Sequence, residues 1–487
     1  MPVRRFLTAR IRRTAGPALA RSLAVAALTA LLAAAPALAE LQSEAAIRDM
    51  ITRGETTQAI EASKARIAAF PNEPEPLVLL ANAMLTKTTH GKASTLSEAD
   101  ATEISKPIES AIRLAPQRKD LYFGLIELSR MAELDDRMIE QVRRTAAQFP
   151  NDTDTMQTLM EYASEKTGGR DQATAAKLYE AIYDAYTKKP EAILAWAAML
   201  VSRGELDRAT KVLLAGAEAV PASAPIVSSL ADCYVYQRNF RDATKYYGKA
   251  AGLDPKGQAA RLPWAAAMHT FDAQSARLIA EPLWGGNANG PKVPSVSLSG
   301  DAAAKTNTRL TNAGTLLYRA VVKPDLGAME AFSLARSLAQ AGFPAPAIAE
   351  TEVALSRDAV LPEALALRGE IYAQIGLNAE ALEAAKQAEA IFDASGERTF
   401  GVTRDEVLSA RATYEARLGK TEDAFNTYTR MKDPKRQYYK MALLLERLGR
   451  TEEARAHLEK TVATSTDTSE VDAAKARLAS DTYRKKP

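Results

Sequence analysis

A spaced pattern of small and turn-forming residues recurs along this chain and constrains its fold more than any other feature. A glycine is followed by an alanine five residues later and a proline twelve residues after that, as in Gly54, Ala59 and Pro71 and again in Gly204, Ala209 and Pro221. Ala243 and Pro255 repeat the last two positions after a further 34 residues. Each unit predicts two amphipathic helices joined by a short turn and ended by the proline, which has no backbone N–H to continue a helix. The alanine lets the two helices cross closely, near the lower end of the usual ~8–10 Å.

With this period and these small residues, the chain resembles the tetratricopeptide repeat (TPR) family. The resemblance implies an all-α fold, a TPR-type α-solenoid in which helix-turn-helix repeats stack into a right-handed superhelix. One helix pair cannot bury its apolar face alone, so each unit depends on its neighbours for a continuous core.

The positions of the repeated glycines, alanines and prolines divide the chain into four predicted regions: 1–39, 40–257, 258–327 and 328–487. The second and fourth are repeat arrays, and the fourth ends in a capping helix. The third is a degenerate repeat followed by a Gly/Pro/Ser-rich stretch typical of an exposed loop. Units are predicted to begin near Glu40, Pro74, Lys119, Thr153, Pro190 and Ala224, and then near Ala328, Pro362, Asp405 and Lys435.

Residues 1–39 have the pattern of a cleavable signal peptide. Basic residues precede an apolar run at 23–35, which has 13 residues and is too short for a ~30 Å hydrocarbon core. Ala37 and Ala39 supply small residues for cleavage before Glu40. We therefore expect an exported bacterial protein located in the periplasm. Secretion, an uncleaved anchor and twin-arginine export are the alternatives.

Composition argues against several functional classes. The formal charge is +3, but without six arginines of the leader 57 basic residues face 60 acidic ones, so no basic surface for nucleic acid is predicted. Only three histidines and one cysteine are present, and none lies in a recognisable catalytic or zinc-binding spacing. We expect no catalytic site, no bound metal and no cofactor. Cys233 lies within a predicted helix, where a buried small side chain is favoured over a reactive thiol.

In TPR proteins the first helix of each unit lines the concave side, and certain of its positions usually meet the ligand. Carried over by register, the resemblance marks partner-binding candidates in four units: Ser228, Asp232, Val235 and Tyr236; Phe332, Arg336 and Gln340; Glu370 and Gln374; and Tyr439, Glu446 and Arg447. Tyr236 is the predicted anchor and Asp232, four residues earlier, would orient a donor on the ligand. The Lys/Asn pattern that clamps a C-terminal carboxylate in chaperone co-factors is missing.

These observations predict a non-enzymatic scaffold of the bacterial cell envelope that binds partner proteins through its concave groove. By analogy with exported TPR proteins, envelope assembly, secretion or polysaccharide export are its expected settings. The alternative is a ligand-binding or enzyme-accessory protein that uses the 258–327 region around Trp264 and Trp284.

Overall fold

The computed structural model describes residues 41–89, 95–168, 171–254, 261–269, 272–280, 312–313, 315–317, 320, 327–395, 401–480 and 482–483. Every regular element in these ranges is helical, which confirms the predicted all-α class. The chain divides into two compact units, one ending at Ala185 and the other beginning at Tyr186. The predicted signal peptide at 1–39 and most of the predicted loop at 258–327, including Trp284, lie outside the described residues.

The unit that ends at Ala185 consists of paired helices connected by short turns. Its helices are α1 (Glu44–Thr52), α2 (Thr56–Ala69), α3 (Glu75–Thr89), α4 (Glu98–Leu114), α5 (Lys119–Met131), α6 (Asp135–Gln148), α7 (Thr153–Gly168) and α8 (Gln172–Ala185).

The unit that begins at Tyr186 continues the same arrangement and contains all the predicted site residues. Its helices are α9 (Pro190–Ser202), α10 (Leu206–Ala219), α11 (Ala224–Tyr236), α12 (Phe240–Leu253), α13 (Arg261–His269), α14 (Ala273–Ala280), α15 (Ala328–Gln340), α16 (Pro344–Arg357), α17 (Pro362–Gln374), α18 (Asn378–Ser395), α19 (Arg404–Arg417), α20 (Thr421–Thr429), α21 (Tyr438–Arg447), α22 (Thr451–Thr464) and α23 (Thr468–Leu478). A 3-10 turn at Lys435–Gln437 precedes α21. The predicted capping helix is α23.

The turn within each helical hairpin explains the recurrent glycine. Six glycines have positive φ values of 72 to 91°, and each lies two residues beyond the first helix of a hairpin, as Gly54 does after α1. Glu133 and Arg238 occupy the equivalent places with φ values of 55 and 60°. Glycine adopts this left-handed conformation without the steric cost that a Cβ brings.

The residue five positions later explains the recurrent alanine. Ala209, Ala243, Ala347, Ala381 and Ala424 are all fully buried at this position, where the second helix crosses its neighbours. A larger side chain would force the helices apart. These glycines and alanines therefore occupy the turn and crossing positions that the repeat pattern predicts for them.

The unit beginning at Tyr186 has a feature that the repeat pattern does not predict. Helix α16 packs against α11 and α13, which precede it by about a hundred residues, as well as against α15 and α17. Nine of its fourteen residues are buried, so it is covered on most sides. One apolar core runs from Ala231 to Tyr414. Residues of both predicted arrays, 40–257 and 328–487, contribute to this core.

A buried ionic contact fixes α16 against α13. His269 Nδ1 lies 3.0 Å from Glu350 Oε1, and the two side chains are 1% and 0% exposed. At the edge of the same contact, the Arg238 guanidinium donates to Glu352 at 2.7 Å. Buried charges of this kind are tolerated in a core when they are paired and hydrogen-bonded.

Candidate functional site

An open groove of about 410 Å³ lies across three successive first helices, α15, α17 and α19. We call it the C-terminal groove. Its lining includes Phe332 and Arg336 from α15, Glu363, Leu367 and Glu370 from α17, Gly401 and Val402 from the loop before α19, and Glu406, Val407 and Tyr414 from α19.

Helical spacing brings the α17 residues onto one face. Glu363, Leu367 and Glu370 are separated by four and three residues, which places their side chains on the same side of a helix. Phe332 and Arg336 are likewise four residues apart on α15. The groove is therefore built from one face of each first helix, as the repeat register predicts.

The floor of the groove is apolar and aromatic. Phe332 is half-buried, Val407 is buried and Tyr414 is buried, and Leu367 is half-buried between them. Apolar side chains that are only half covered gain free energy when a partner removes their remaining surface from water, by roughly 25 cal/mol per Å².

Carboxylates dominate the rim. Glu363 accepts a hydrogen bond from the backbone N–H of Gly401. Its second oxygen, Oε2, is buried and has no hydrogen-bond partner among the described residues. Such an atom is usually satisfied in a native protein, so a donor brought by a partner would find an acceptor here.

Glu406 is held in place by the capping box of α19. Its Oε2 accepts from the backbone N–H of Thr403 at 2.7 Å and from the Thr403 hydroxyl at 2.8 Å. These hydrogen bonds lower the pKa of Glu406, which keeps the side chain ionised near neutral pH. Glu370, one helix away, is exposed and accepts from Gln374 Nε2 at 3.2 Å.

Arg336 is the one basic residue among the described residues that line the C-terminal groove. Its guanidinium lies 5.4 Å from the centre of the Phe332 ring, in the position of a cation–π contact. With three carboxylates and one guanidinium, the described lining of the groove carries a net negative charge.

The structure brings three of the predicted site residues together, namely Phe332, Arg336 and Glu370. Gln340 and Gln374 are exposed on the same helices but are not part of the groove lining. Whether any of these residues contacts a partner stays a prediction.

The predicted binding residues on α11, Ser228, Asp232 and Tyr236, differ in how accessible they are. Tyr236 is only 9% exposed and belongs to the apolar core, and Val235 is completely buried. Helix α16 and the turn before it pack over this side of α11. Tyr236 therefore has little accessible surface, whereas Ser228 and Asp232 line a separate cavity.

The candidates on α21 are also largely covered. Arg477 of the capping helix donates to Glu446 at 2.6 Å, and the Tyr483 hydroxyl donates to the same carboxylate at 2.6 Å. Tyr439 is half-buried, whereas Arg447 is exposed. The capping segment occupies the side of α21 that the register assigns to a partner.

Sequence reasoning missed Glu363, Glu406 and Tyr414 as groove residues. Glu363 and Glu406 are each the second residue of their predicted unit, a position that the TPR resemblance already marks as ligand-facing. Tyr414 carried no such signal, since its place in the groove depends on how α19 packs beside α17.

Two of the three histidines and the single cysteine pack among other side chains of the structure. His269 is buried against Glu350, and His457 packs between the rings of Phe425 and Tyr438 at 6.1 and 5.5 Å. Cys233 is buried, and burial raises the pKa of its thiol to about 12, so the favoured reading of an unreactive side chain agrees with its surroundings. His90 lies outside the described residues.

In the described part of the chain, no three or more His, Cys, Asp or Glu residues are grouped so that they could hold a metal ion. Within the same ranges, no helix combines the length and the apolar character needed to cross a membrane. Trp264, central to the alternative function, packs its ring against Gly248, where an added Cβ would lie 3.0 Å from Cζ2.

Comparison with known proteins connects these features to a family. Residues 436–463, which cover α21 and most of α22, match the family model of the tetratricopeptide repeat. No curated protein matches the chain.

Several solved structures of TPR proteins resemble this chain to a limited extent. YrrB, described as a TPR protein with an unusual peptide-binding site, is 16% identical over 41% of this chain and 96% of its own, with a TM-score of 0.24. Yeast Tom70 is 12% identical over 91% of this chain and 97% of its own, with a TM-score of 0.30. A tetratricopeptide repeat protein from Parabacteroides merdae is 14% identical over 53% and 98%, with a TM-score of 0.28.

TM-scores this low establish no common overall structure, so the family rests on other grounds. These grounds are the match at 436–463 and the helical hairpins with their shared left-handed turn and buried small residue. Together they support the tetratricopeptide repeat family as the family of this chain.

Proposed function

We propose that this protein is a non-enzymatic scaffold that binds a segment of a partner protein in the C-terminal groove. The observation that carries the proposal is the open groove itself, which has a half-buried aromatic and aliphatic floor across three first helices. Protein interaction is the common role of the TPR fold, and the groove supplies a place for it.

Charge complementarity indicates what kind of segment fits. Glu363, Glu370 and Glu406 face a single Arg336, so basic side chains on the partner would be attracted and acidic ones repelled. The half-buried floor around Phe332 and Leu367 requires apolar side chains between the basic ones. The proposed occupant is therefore a peptide segment that alternates apolar and basic residues.

Synthetic peptides test this directly. Fluorescent ten-residue peptides that alternate leucine with lysine, leucine with glutamate, or serine with lysine are titrated against the full chain. We expect binding by the leucine–lysine peptide alone, because it satisfies both the floor and the rim. Equal binding by the leucine–glutamate peptide would contradict the charge argument, and equal binding by the serine–lysine peptide would contradict the apolar one.

Two variants locate the binding. Phe332→Ala removes a ring from the floor and should weaken the leucine–lysine peptide by about 1–2 kcal/mol, roughly five- to thirty-fold. Glu370→Lys reverses one rim charge and should weaken it further while improving the leucine–glutamate peptide. Glu383→Lys changes an exposed glutamate of the second helix α18, outside the groove lining, and serves as the matched control. Unchanged affinity in Phe332→Ala would exclude this groove.

We further propose that the scaffold works in the bacterial periplasm, in envelope assembly, secretion or polysaccharide export. The support is the leader-like pattern at 1–39, with small residues before Glu40. N-terminal sequencing of native protein should find Glu40 as the first residue. An intact leader on the native protein would contradict the periplasmic location.

A further inference from the structure

A second, smaller cavity lies on the face of α11 that α16 covers. It has a volume of about 350 Å³, near the lower end of the ~300–1,000 Å³ typical of small-molecule sites. Four of the residues that line it are prolines: Pro225, Pro263, Pro344 and Pro346. It does not overlap the C-terminal groove, and its proposed ligand is independent of the function proposed for that groove.

Among the described residues that line this proline-lined cavity, none is basic. The turn before α16 contributes Gly342 and Phe343, and α13 contributes Pro263, none of which is charged. The charged residues of the lining are two acids, Asp232 from α11 and Asp254 from the end of α12. The cavity thus presents negative charge within apolar walls.

Asp232 is the more deeply placed of the two acids. Asp254 is exposed, whereas Asp232 is half-buried and accepts a hydrogen bond from the Tyr247 hydroxyl. Tyr247 is a neutral donor, so no cation within the described structure balances the Asp232 charge. Burial raises the pKa of Asp232 to about 6, although the hydrogen bond from Tyr247 acts in the opposite direction.

An ionised carboxylate held away from water is costly unless it is paired. Since no cation among the described residues compensates this charge and a cavity of ligand size adjoins it, a cation that enters the cavity would supply the missing partner. A metal ion does not suit these surroundings, because the cavity walls are apolar and offer few oxygen donors. An organic cation suits both the acid and the walls.

We propose that the proline-lined cavity binds an organic cation, an ammonium or guanidinium group on a short apolar body, with Asp232 as its counter-ion. The proline rings and Phe343 surround the apolar body. The cation is supplied either by a free amine or by a lysine or arginine side chain of another protein, since both present the same group.

The first test uses small probes on the full chain at neutral pH. Butylamine and butylguanidine provide the two cations, and butanol provides an uncharged molecule of similar shape; ligand-observed NMR measures their affinities. We expect both cations to bind at least about tenfold more tightly than butanol. Equal binding of butanol would overturn the proposal. A capped Ala-Lys-Ala peptide that binds more tightly than butylamine would assign the cation to a protein side chain, and the reverse order would assign it to a free amine.

Substitution of the carboxylate localises the effect. Asp232→Asn keeps the shape and an acceptor for Tyr247 but removes the charge, and we expect it to lower butylamine affinity by about tenfold or more. Glu218→Gln removes an exposed acid of α10 outside the cavity and should change nothing. Undiminished binding to folded Asp232→Asn would overturn the proposal.

The pH dependence provides a test that needs no variant. The ionisable groups near Asp232 are Tyr247 on α12, Cys233 and Tyr236 on its own helix, and Asp254 at the cavity edge. The two tyrosines and the thiol have pKa values raised by burial and stay neutral in this range. Binding of butylamine should therefore strengthen as Asp232 ionises, with a midpoint at about pH 6. Affinity that does not change between about pH 5 and about pH 8 would contradict the assignment.

Discussion

The α11 face and the C-terminal groove occupy equivalent register positions, yet the structure treats them differently. On α11, Tyr236 is buried beneath α16, and a cavity of about 350 Å³ remains beside Asp232. On α15, α17 and α19, Phe332 and Glu370 line an open groove. Register decides which side of a first helix faces inward, whereas the segments that pack there decide whether a partner can reach it.

Helix α16, which packs over α11, is held by a buried ion pair. Breaking this pair should have the largest effect on the free energy of unfolding. Glu350→Ala leaves the His269 imidazole without its carboxylate in a site where both side chains are almost completely buried. Loss of one partner of such a pair typically costs about 3–5 kcal/mol. Glu370→Ala, on the open groove, should cost less than about 0.5 kcal/mol. Urea unfolding monitored by circular dichroism measures both, and similar losses would contradict the distinction between the two faces.

The same pair predicts a pH dependence of stability. Burial and the nearby Arg357 lower the pKa of His269, but the hydrogen bond to Glu350 and its negative charge outweigh them and raise the pKa overall. Since the folded-state pKa lies above the unfolded one, the stabilisation is complete below about pH 6.5 and is lost as pH rises through the folded pKa. The stability difference between wild type and Glu350→Ala should therefore shrink on the alkaline side. A difference that grows there would refute the assignment.

Substitution of two hairpin-turn glycines should have an intermediate effect on stability, and the two positions can be compared directly. An added Cβ at Gly376 would lie 2.5 Å from Ser202 Cα, whereas at Gly419 it would meet nothing within 4 Å. Both residues have positive φ, so alanine brings a conformational cost of about 1–2 kcal/mol at either position. Gly376→Ala should lose about 2–4 kcal/mol in total because overpacking is added. Equal losses would mean that the turn at Gly376 does not pack against α9.

The smallest expected effect concerns the helix crossings that both regions share. Ala381 is completely buried, and a Cβ added at Gly369 would lie 3.3 Å from its carbonyl oxygen. Ala381→Phe should therefore destabilise the fold by about 1–3 kcal/mol through overpacking. Ala390→Phe, at an exposed position of the same helix, should change stability by less than about 0.5 kcal/mol. Thermal unfolding of the two variants decides whether the register is right.

The sequence by itself determined the helical hairpins and their register. Gly376 and Ala381 lie five residues apart, so the left-handed turn and the close helix crossing depend on residues that are near each other in the sequence. Both features can therefore be predicted from the sequence. Phe332, Arg336 and Glu370 could be assigned to an inward face for the same reason, because helical periodicity repeats within a few residues.

Only the tertiary structure decided which inward face stays open. The contacts that hold α16 in place join residues 81 positions apart, His269 and Glu350, and 114 positions apart, Arg238 and Glu352. No local pattern specifies such pairs, since the buried alanine of α16, Ala347, is a feature that it shares with other second helices. Tyr236 became a core residue, and Asp232 came to line a cavity, because a distant segment packs against the face that periodicity had assigned to a partner.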